Sequence, residues 1–506
     1  MPLSLSLRNM NAIIIGSGFG GLGAAGLLAK KGYEVHVFEK NEQPGGRASV
    51  LHKDGFTFDM GPSWYLMPDI FEDFYRLLGE RVEDHLTLHR LDPSYRVFFP
   101  NREPLDLSSD IEKTAVLFER LEPGAGERFR AYLTKSEKQY HIAVNKFLYK
   151  NYDTVFDFFT KETMTEGRKL KVFSNMQRYV ERHFKHDILQ KILQYTLVFL
   201  GGSPYNTPAL YNIMSHIDFN MGVFYPEGGI ARVVESLVQI AEKNGAQFHY
   251  NAPVRSILVE DRNAVGVKLE NGETHRADIV ISNAEVAYTE QHLLDPSQRM
   301  YSDRYWKNRT LAPSAFLLYL GVKGELPNTL HHNLYFCKDW QKNFREIFDD
   351  PRWPEDPSIY ISVTSKTDPN VAPEGHENLV ILVPISPKLD DHEEARKQFR
   401  DQIIQKVSSI LKVPDLKCRI ISETMFVTKD FELRYNAQGG SALGLAHTLF
   451  QTAIFRPNNI NKKVKNLFYV GSSTNPGIGM PICLISAELL IKRLTHDRSF
   501  EKLPSL

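Results

Sequence analysis

Three glycines near the start of the chain, Gly16, Gly18 and Gly21, have the spacing G-x-G-x-x-G. At a turn between a strand and a helix, the first glycine permits a tight turn and the second lets a pyrophosphate approach the backbone. The third lets the helix pack closely on the strand. A helix that begins beneath phosphates also directs its free N–H groups and its positive dipole end towards the anion. The spacing therefore predicts a dinucleotide site, although ordinary glycine turns can show it too.

The residues around these glycines favour the dinucleotide interpretation. Ala12–Ile15 is a short apolar run typical of a strand buried on both faces, and Leu22–Ala29 has apolar residues at helical spacing that stop before Gly32. Val35–Phe38 predicts a second strand. Glu39 ends that strand about 20 residues after the glycines, where an acidic side chain can bind ribose hydroxyls. An acid at this position also disfavours the 2′-phosphate of NADP.

Two further turns could bring backbone close to a ligand. In Pro44–Arg47, Gly45 and Gly46 allow close approach and Arg47 could pair with a pyrophosphate, although such a sequence is often only a turn. Near the end of the chain, a buried strand leads into the glycine- and proline-rich turn Gly471–Pro481 and then into a helix. In a flavoenzyme, the positive end of that helix would stabilise negative charge on the reduced isoalloxazine.

The composition excludes several classes of protein. The 506 residues suggest roughly three domain-sized units, and 42% hydrophobic content supplies a sizeable core. Lys plus Arg and Asp plus Glu both total 61, which argues against nucleic acid as a partner. Cys337, Cys418 and Cys483 are scattered, which fits a reduced compartment and no disulfide framework or zinc cluster. With no secretory signal in Met1–Met10 and no apolar run of about 18 residues, we expect a cytoplasmic protein with at most peripheral membrane contact.

The pattern of apolar residues divides the chain into regions. The region from Asp69 to about Phe219 is expected to be helical, with longer helices at Phe129–Tyr149 and Ile188–Leu200. The chain then returns to an α/β pattern with a helix at Ile230–Asn244. The later segment is expected to be mixed, with strands at 314–322, 358–363, 378–383 and 419–427 and a helix near 391–411.

Some side chains could serve either packing or binding. Phe147, Tyr149, Tyr152, Phe156, Phe158 and Phe159 could pack a core or line an apolar tunnel with a membrane-facing mouth. Arg168, Lys169 and Lys171 could be solvated charges or contacts to an anionic lipid surface. The pairs His183/His186 and His331/His332 lack further ligand spacing, so surface or packing roles are favoured over metal. No G-x-S-x-G element supports a nucleophilic mechanism.

Taken together, the motifs resemble the flavin-dependent amine-oxidase-like oxidoreductases and, within them, the bacterial-type carotenoid (phytoene) desaturases. The resemblance spans nearly the whole chain. It rests on Gly16–Gly21 with Glu39, Pro44–Arg47, Asp54–Pro68, Tyr225–Gly229 and Gly471–Pro481. The most specific stretch is Pro476-Gly477-x-Gly479-x-Pro481, which is the C-terminal signature of the desaturases.

The resemblance implies FAD as cofactor, with Glu39 on the adenosine ribose and Arg47 near the pyrophosphate. It also implies that Val254 approaches the adenine through its backbone and that Gly479 and Met480 lie near the flavin ring. The full expected cofactor-contacting set is Gly16, Gly18, Phe19, Gly20, Gly21, Glu39, Lys40, Gly46, Arg47, Gly61, Pro62, Val254, Asn283, Gly471, Gly479 and Met480. No catalytic side chain and no metal ligand is predicted, and Asn475 stands where many members of the family have histidine.

The expected fold is α/β, with a Rossmann-like FAD-binding domain built on a doubly wound parallel sheet. That domain is expected to comprise residues 9–68, 225–296 and 440–506. Residues 69–224 and 297–439 are expected to form an inserted mixed α+β substrate domain with a helical, membrane-facing part.

The resemblance also implies an activity and its partners. Its substrate would be a long apolar polyene, desaturated by hydride transfer to flavin, as in the conversion of phytoene towards lycopene. The protein would lie peripherally on a membrane, and a quinone or dioxygen would accept the electrons. Open alternatives are a dehydrosqualene desaturase, a carotenoid oxygenase or ketolase, an amine or porphyrinogen oxidase, and a non-catalytic isoprenoid carrier. The oligomeric state is not predicted.

Overall fold

The computed structural model describes residues 10–154, 157 and 174–505. The strands, in chain order, are β1 (Asn11–Ile15), β2 (Glu34–Phe38), β3 (Val50–Lys53), β4 (Phe56–Asp59), β5 (Leu88–Arg90), β6 (Tyr95–Phe98), β7 (Leu105–Leu107), β8 (Phe224–Pro226), β9 (Gln247–His249), β10 (Val254–Glu260), β11 (Asn263–Leu269), β12 (Thr274–Arg276), β13 (Ile279–Ser282), β14 (Ser314–Lys323), β15 (His332–Tyr335), β16 (Ile359–Ser362), β17 (His376–Ile385), β18 (Ile420–Phe426) and β19 (Leu467–Tyr469).

The α-helices lie between groups of these strands and after the last one. In chain order they are α1 (Phe19–Lys30), α2 (Pro68–Leu77), α3 (Ile111–Leu121), α4 (Ala125–Ala143), α5 (Met176–Glu181), α6 (Asp187–Ile192), α7 (Ile213–Ser215), α8 (Ile230–Lys243), α9 (Val286–Tyr288), α10 (Asp303–Lys307), α11 (Trp340–Phe348), α12 (Glu393–Leu411), α13 (Leu416–Arg419), α14 (Thr428–Tyr435) and α15 (Met480–Leu494).

A five-stranded sheet in the order β19-β13-β1-β2-β9 carries the nucleotide motif, and all of its pairings are parallel. Alternate residues of β1 enter two different cores. Ala12 and Ile14 pack in the core shared with α1, α8 and α15, whereas Ile13 and Ile15 pack in a core shared with the β10–β12 sheet and short helices. Burial on both faces explains the continuous apolar run Ala12–Ile15. The predicted parallel α/β sheet is confirmed, but long helices cover only one of its faces.

A second, seven-stranded sheet has the order β18-β14-β17-β16-β15-β6-β7. Its pairings are antiparallel except for β15 with β6. The hairpin β3–β4 packs against it, with Phe56 and Phe58 in one core with Leu317 and Tyr319. The Tyr319 hydroxyl donates a hydrogen bond to the Met60 carbonyl at 2.8 Å, which fixes the segment after β4 over this sheet.

Two expectations for the region after residue 69 are wrong. The region is not wholly helical, because β5, β6 and β7 lie within it. The strands β5 and β6 pair with strands far away in sequence, and β7 pairs with β6. The segment expected as one helix at Ile188–Leu200 is α6 followed by a 3₁₀ turn at Tyr195–Leu200, where β-branched and aromatic residues disfavour the α-helix. The expected helix Phe129–Tyr149 is confirmed, as α4 and a π-helical turn at Val144–Leu148 that continues it.

The expected helix and strands of the later segment are confirmed, as α12 and as β14, β16, β17 and β18. The aromatic residues Phe156, Phe158 and Phe159 and the basic residues Arg168, Lys169 and Lys171 lie outside the described residues.

Candidate functional site

The glycine turn between β1 and α1 is closed too tightly for side chains. Gly16 has a φ of +91°, a left-handed conformation that favours glycine. A Cβ on Gly21 would lie 2.1 Å from the Gly16 carbonyl oxygen, and a Cβ on Gly20 would lie 2.6 Å from the Gly471 nitrogen. Gly18 precedes α1 and provides no side-chain cap for its first N–H groups. The turn is therefore a backbone cradle of the kind that binds a pyrophosphate.

Glu39 is held rigidly at the carboxyl end of β2. Its Oε2 atom accepts hydrogen bonds from the Ser17 amide at 2.9 Å and the Ser17 hydroxyl at 2.8 Å. Its Oε1 atom accepts from the Asn41 amide at 2.9 Å. These bonds compensate for the burial of the carboxylate, which is 4% exposed. Glu39, the predicted partner of the ribose hydroxyls, thus lies beside the glycine turn, at the sheet edge where nucleotides bind in such folds.

The Pro44–Arg47 turn packs directly on this cradle. The Gly45 amide donates to the Ser17 carbonyl at 2.9 Å, and a Cβ on Gly46 would lie 3.3 Å from the Gly18 Cα. A Cβ on Gly61 would lie 2.1 Å from the Arg47 carbonyl oxygen. The two predicted loops therefore form one continuous backbone surface.

Arg47 has a carboxylate partner that the sequence analysis did not identify. Its Nη2 atom donates to Glu285 Oε1 at 2.5 Å and to the Ser441 carbonyl at 3.3 Å. Glu285 also accepts the Gln438 amide at 2.9 Å. One feature of the sequence could have identified Glu285. It follows β13 directly, at the carboxyl edge of the parallel sheet where ligands bind. This pair fixes the guanidinium at the cavity wall.

The C-terminal turn is clamped from several sides. Ser486 accepts the Gly471 amide at 3.2 Å and donates to the Asn475 carbonyl at 2.9 Å. The buried guanidinium of Arg456 donates to the Ser472 carbonyl at 2.5 Å and the Thr474 carbonyl at 3.0 Å. Burial lowers the pKa of Arg456 to about 10, so the side chain remains a cation at neutral pH. Sequence reasoning missed Arg456, because its partners are carbonyl groups that leave no trace in the sequence.

Helix α15 begins at Met480, immediately after this turn. Gly479 has a φ of +123° and supplies no side-chain cap, so the first N–H groups of α15 are available to a ligand. Met480 and Gly479 both line the cavity described below. The N-terminal end of α15 is therefore a second positively polarised backbone site on the same cavity.

All of these elements border one cavity of about 1800 Å³. Every residue of the predicted cofactor set except Gly21 contributes to its wall; Gly21 lies behind the loop, against the Gly16 carbonyl. Lys40 reaches the wall but donates to the Leu433 carbonyl at 2.7 Å and to Asn436 Oδ1 at 3.0 Å. The structure thus assembles residues from both ends of the chain around one space.

A row of aromatic rings leads along the cavity wall from the stretch that follows Gly61. Ring centroids are 6.1 Å apart for Trp64 and Tyr195, 5.9 Å for Tyr195 and Phe336, 5.2 Å for Phe336 and Trp340, and 5.7 Å for Trp340 and Phe344. All five residues line the cavity. Such a wall suits an extended, flat, apolar ligand, because ring faces and edges pack against it at low entropic cost.

A buried acid lies behind this aromatic row. Asp218 accepts hydrogen bonds from the hydroxyls of Tyr95 at 2.9 Å and Tyr195 at 3.0 Å, both on its Oδ2 atom. Burial raises the pKa of Asp218 to about 7. Because Tyr195 itself lines the cavity, Asp218 holds part of the wall in place. No sequence signal marked this residue.

The histidine pair at 331–332 is also packed into the protein. The His332 ring stacks on Trp64 with centroids 4.4 Å apart, and burial lowers the pKa of His331 to about 3. Across the described parts of the chain, no three His, Cys, Asp or Glu side chains are grouped so that they could hold a metal ion.

Among the described helices, none is long and apolar enough to cross a membrane.

The observed cradle fits a flavin dinucleotide. It offers backbone that excludes side chains at Gly20 and Gly21, two helix N-termini, the Arg47 guanidinium and the Glu39 carboxylate. These are donors for a pyrophosphate and an acceptor for ribose hydroxyls. The apolar part of the cavity is left for a second ligand.

Comparison with known proteins gives a consistent result. The family model described as flavin containing amine oxidoreductase matches residues 19–489. A carotenoid 3,4-desaturase of Haloarcula japonica is 48% identical, covering 97% of this chain and 99% of that protein. A zeta-carotene-forming phytoene desaturase of Myxococcus xanthus is 37% identical, covering 97% and 95%. The crystal structure of an oxidoreductase from Methanosarcina mazei, 18% identical, has the same fold, with a TM-score of 0.63 over 96% of this chain and 100% of that one.

These matches cover nearly the whole chain, including the C-terminal turn and the aromatic cavity wall, and they favour an enzyme over a non-catalytic carrier. The chain belongs to the flavin-containing amine oxidoreductase family and, within it, to the carotenoid desaturases, and it is an FAD-dependent oxidoreductase.

Proposed function

We propose that this protein introduces double bonds into a long, acyclic, apolar polyene, such as phytoene on its way to lycopene. The observation that carries the proposal is the row of aromatic rings from Trp64 to Phe344, in a cavity that is continuous with the nucleotide cradle. An apolar, elongated substrate would bury its length along this row, and no charged group would be needed to bind it. The names of the relatives, desaturases of carotenoids, support the same substrate class.

The chain's own residues would act by orientation and by exclusion of water. FAD, when bound, supplies the acceptor for a hydride removed from an allylic carbon. The N–H groups at the start of α15, after Gly479, would stabilise negative charge that develops beside them. Arg456 and Ser486 would keep the turn before α15 fixed. The buried aromatic wall would exclude water from the reactive intermediate on the polyene.

We also propose that the two sets of residues expected from the sequence bind different ligands. Residues 9–68, 225–296 and 440–506 would bind FAD, and residues 69–224 and 297–439 would bind the polyene. Support comes from the two sheets: the parallel sheet carries Glu39 and the glycine turn, whereas β15 and β16 of the seven-stranded sheet contribute wall residues of the cavity.

A membrane surface is the proposed source of the polyene. Phe450 and Phe455 are 69% and 47% exposed, yet both contribute to the cavity wall, and their rings are 5.8 Å apart. Arg178 and Arg182 are likewise exposed residues of the cavity wall. Exposed rings together with basic side chains at the openings of an apolar cavity suit insertion into a lipid interface and attraction to anionic lipid. We expect flotation with vesicles, stronger with anionic lipid and weaker at high salt; equal partitioning with and without vesicles would contradict this.

The activity is tested by anaerobic assays with phytoene in vesicles. We expect desaturated product when a quinone is added, with no stoichiometric use of NAD, because the chain has a single nucleotide fingerprint. Parallel assays with dehydrosqualene determine the preferred chain length. Product formed only with NAD, in proportion to NADH release, would overturn the proposal, and oxygen-containing product formed only with dioxygen would favour an oxygenase.

A further inference from the structure

The side chain of Asn283 fills the space between the two glycine turns that border the cradle. Asn283 follows β13 directly, and its backbone N–H donates to the Ile15 carbonyl at 2.8 Å, which fixes it at the carboxyl end of β1. A Cβ on Gly18 would lie 2.7 Å from the Nδ2 atom of this side chain. A Cβ on Gly20 or Gly471 would lie 2.7 or 2.6 Å from its Oδ1 atom. The carboxamide is therefore wedged between the two turns, with Nδ2 on the side of Gly18.

The carboxamide of Asn283 is open to the cavity. Asn283 is only partly buried and lines the cavity wall, and neither of its amide atoms is among the polar atoms that are sealed inside the protein without a partner. Within the described part of the chain, these two atoms make no hydrogen bond. A carboxamide has two donor hydrogens and an acceptor oxygen. Donors that face a cavity beside the first N–H groups of a helix suit an anionic ligand.

Gly18 is the position where this side chain and the glycine fingerprint meet. Its φ and ψ are −72° and 175°, an extended conformation that any residue adopts, so backbone strain does not require glycine there. Apart from its chain neighbours, the described atoms that an added Cβ would meet within 4 Å are Nδ2 of Asn283 at 2.7 Å and Cγ of Asn283 at 3.8 Å. The missing side chain at Gly18 therefore leaves room for the carboxamide of Asn283.

We propose that the Nδ2 hydrogens of Asn283 bind the pyrophosphate of FAD, and that glycine is required at position 18 to admit this side chain. Nδ2 lies beside Gly18 at the start of α1, so the carboxamide and the free N–H groups of the helix act on the same anion. Hydrogen bonds to a charged acceptor are about twice as strong as those between neutral groups. Oδ1 lies beside Gly471, so the same side chain also sets the spacing of the two turns. The inference concerns the cofactor and does not depend on which polyene is the substrate.

The first test asks which part of the cofactor the carboxamide binds. The Kd of FAD is measured by flavin fluorescence as the holoprotein is diluted, and two competitors are titrated: ADP, which carries the diphosphate without the flavin, and adenosine, which carries no phosphate. For Asn283→Ala we expect the affinities for FAD and ADP to fall by the same factor, about tenfold to a hundredfold, the effect of losing a hydrogen bond to a charged group. The affinity for adenosine should not change.

Other outcomes of this titration would overturn the proposal. An unchanged affinity for ADP with a weaker affinity for FAD would place the carboxamide on the ribityl chain or the flavin. Equal losses for ADP and adenosine would place it on the adenosine. Unchanged affinities for all three ligands would leave Asn283 without a role in binding.

An isosteric variant separates binding from packing. Asn283→Asp keeps the shape of the side chain but places a carboxylate where the donor was, so we expect it to bind FAD more weakly than Asn283→Ala does, because like charges then face each other. Circular dichroism and the melting temperature of the FAD-free proteins are measured alongside. If Asn283→Asp binds FAD as the wild type does while Asn283→Ala has lost both FAD affinity and melting temperature, the side chain serves packing alone and the proposal is wrong.

The second test measures the coupling between positions 18 and 283. Gly18→Ala adds a Cβ that displaces the carboxamide, and we expect FAD affinity to fall about tenfold or more. In the Asn283→Ala background the added Cβ meets no carboxamide, and the same change should cost less than about threefold. Gly26→Ala is the control in both backgrounds and should leave FAD affinity unchanged, because its Cβ would meet only the ends of the Leu78 side chain, at 3.3 and 3.4 Å. Equal losses for Gly18→Ala in the two backgrounds would show that the glycine serves the ligand or the backbone alone, and would overturn its proposed link to Asn283.

Discussion

The nucleotide cradle and the aromatic cavity wall differ in what their residues must provide. The cradle uses backbone, and its positions tolerate almost no side chain: a Cβ would meet other atoms at 2.1 Å on Gly21 and 2.6 Å on Gly20. The wall uses side chains, from Trp64 to Phe344, that contact one another at ordinary ring distances of 5.2 to 6.1 Å. Substitution in the cradle should therefore abolish cofactor binding, whereas substitution in the wall should change substrate use by degrees.

The largest effect is expected for Gly18→Val. A Cβ at this position would lie 2.7 Å from Asn283 Nδ2, and the larger side chain would extend towards the site of the pyrophosphate. We expect soluble protein without FAD and without activity, measured by flavin absorbance after gel filtration. Gly26→Ala, in the helix that follows Gly18 and against the ends of the Leu78 side chain, serves as the control and should keep FAD. Retention of stoichiometric FAD by Gly18→Val would show that the cradle is elsewhere.

A wall variant should separate substrate from cofactor. In Phe336→Leu, the ring between Tyr195 and Trp340 is lost, and we expect kcat/KM for the polyene to fall about tenfold or less with FAD content unchanged. Phe118→Leu is the matched control, because Phe118 is buried in the same core but does not line the cavity. Equal loss in the two variants would mean that the effect comes from stability and not from the wall.

The exposed rings at the opening should matter for delivery of the substrate only. For the double variant Phe450→Ser/Phe455→Ser, we expect weaker flotation with vesicles and a lower rate with polyene in vesicles. The rate with polyene dispersed in detergent should remain close to that of the wild type. Unchanged flotation would remove this loop from the membrane contact, and a loss in detergent as large as in vesicles would place these rings in the substrate path instead.

The smallest expected effect is a change in the pH dependence of stability. Burial raises the pKa of Asp218 from 3.8 to about 7 in the folded protein. The folded state thus binds the proton more tightly, and the stability that this contributes is present below about pH 4 and is lost as the pH rises through 7. In Asp218→Asn the hydrogen bonds from Tyr95 and Tyr195 can remain while the titration is removed. We expect its melting temperature to fall less than that of the wild type between pH 4 and 7; parallel curves would contradict the shifted pKa.

The contrast between the backbone cradle and the side-chain wall also explains which features of the molecule could be predicted from the sequence. The turn of Gly16, Gly18 and Gly21 and the position of Glu39 beside it were predictable, because a special backbone conformation and an acidic residue at fixed spacing leave a local pattern. Glu285 and Arg456 were not, because each acts through a partner distant in the chain: Arg47 for Glu285, and the carbonyls of the C-terminal turn for Arg456. The strands β5 and β6 were missed for a related reason, since long-range pairing and not local periodicity makes them strands.

The central claim is that one cavity brings a hydrocarbon polyene to the flavin. The most direct test is an anaerobic titration of the FAD-bound protein with phytoene in detergent micelles, with flavin absorbance and extracted polyene measured in the same sample. We expect the flavin to be bleached and one new double bond to appear for each flavin reduced, without added NAD. A flavin that dithionite reduces but that no polyene bleaches, while the polyene is recovered unchanged, would contradict it.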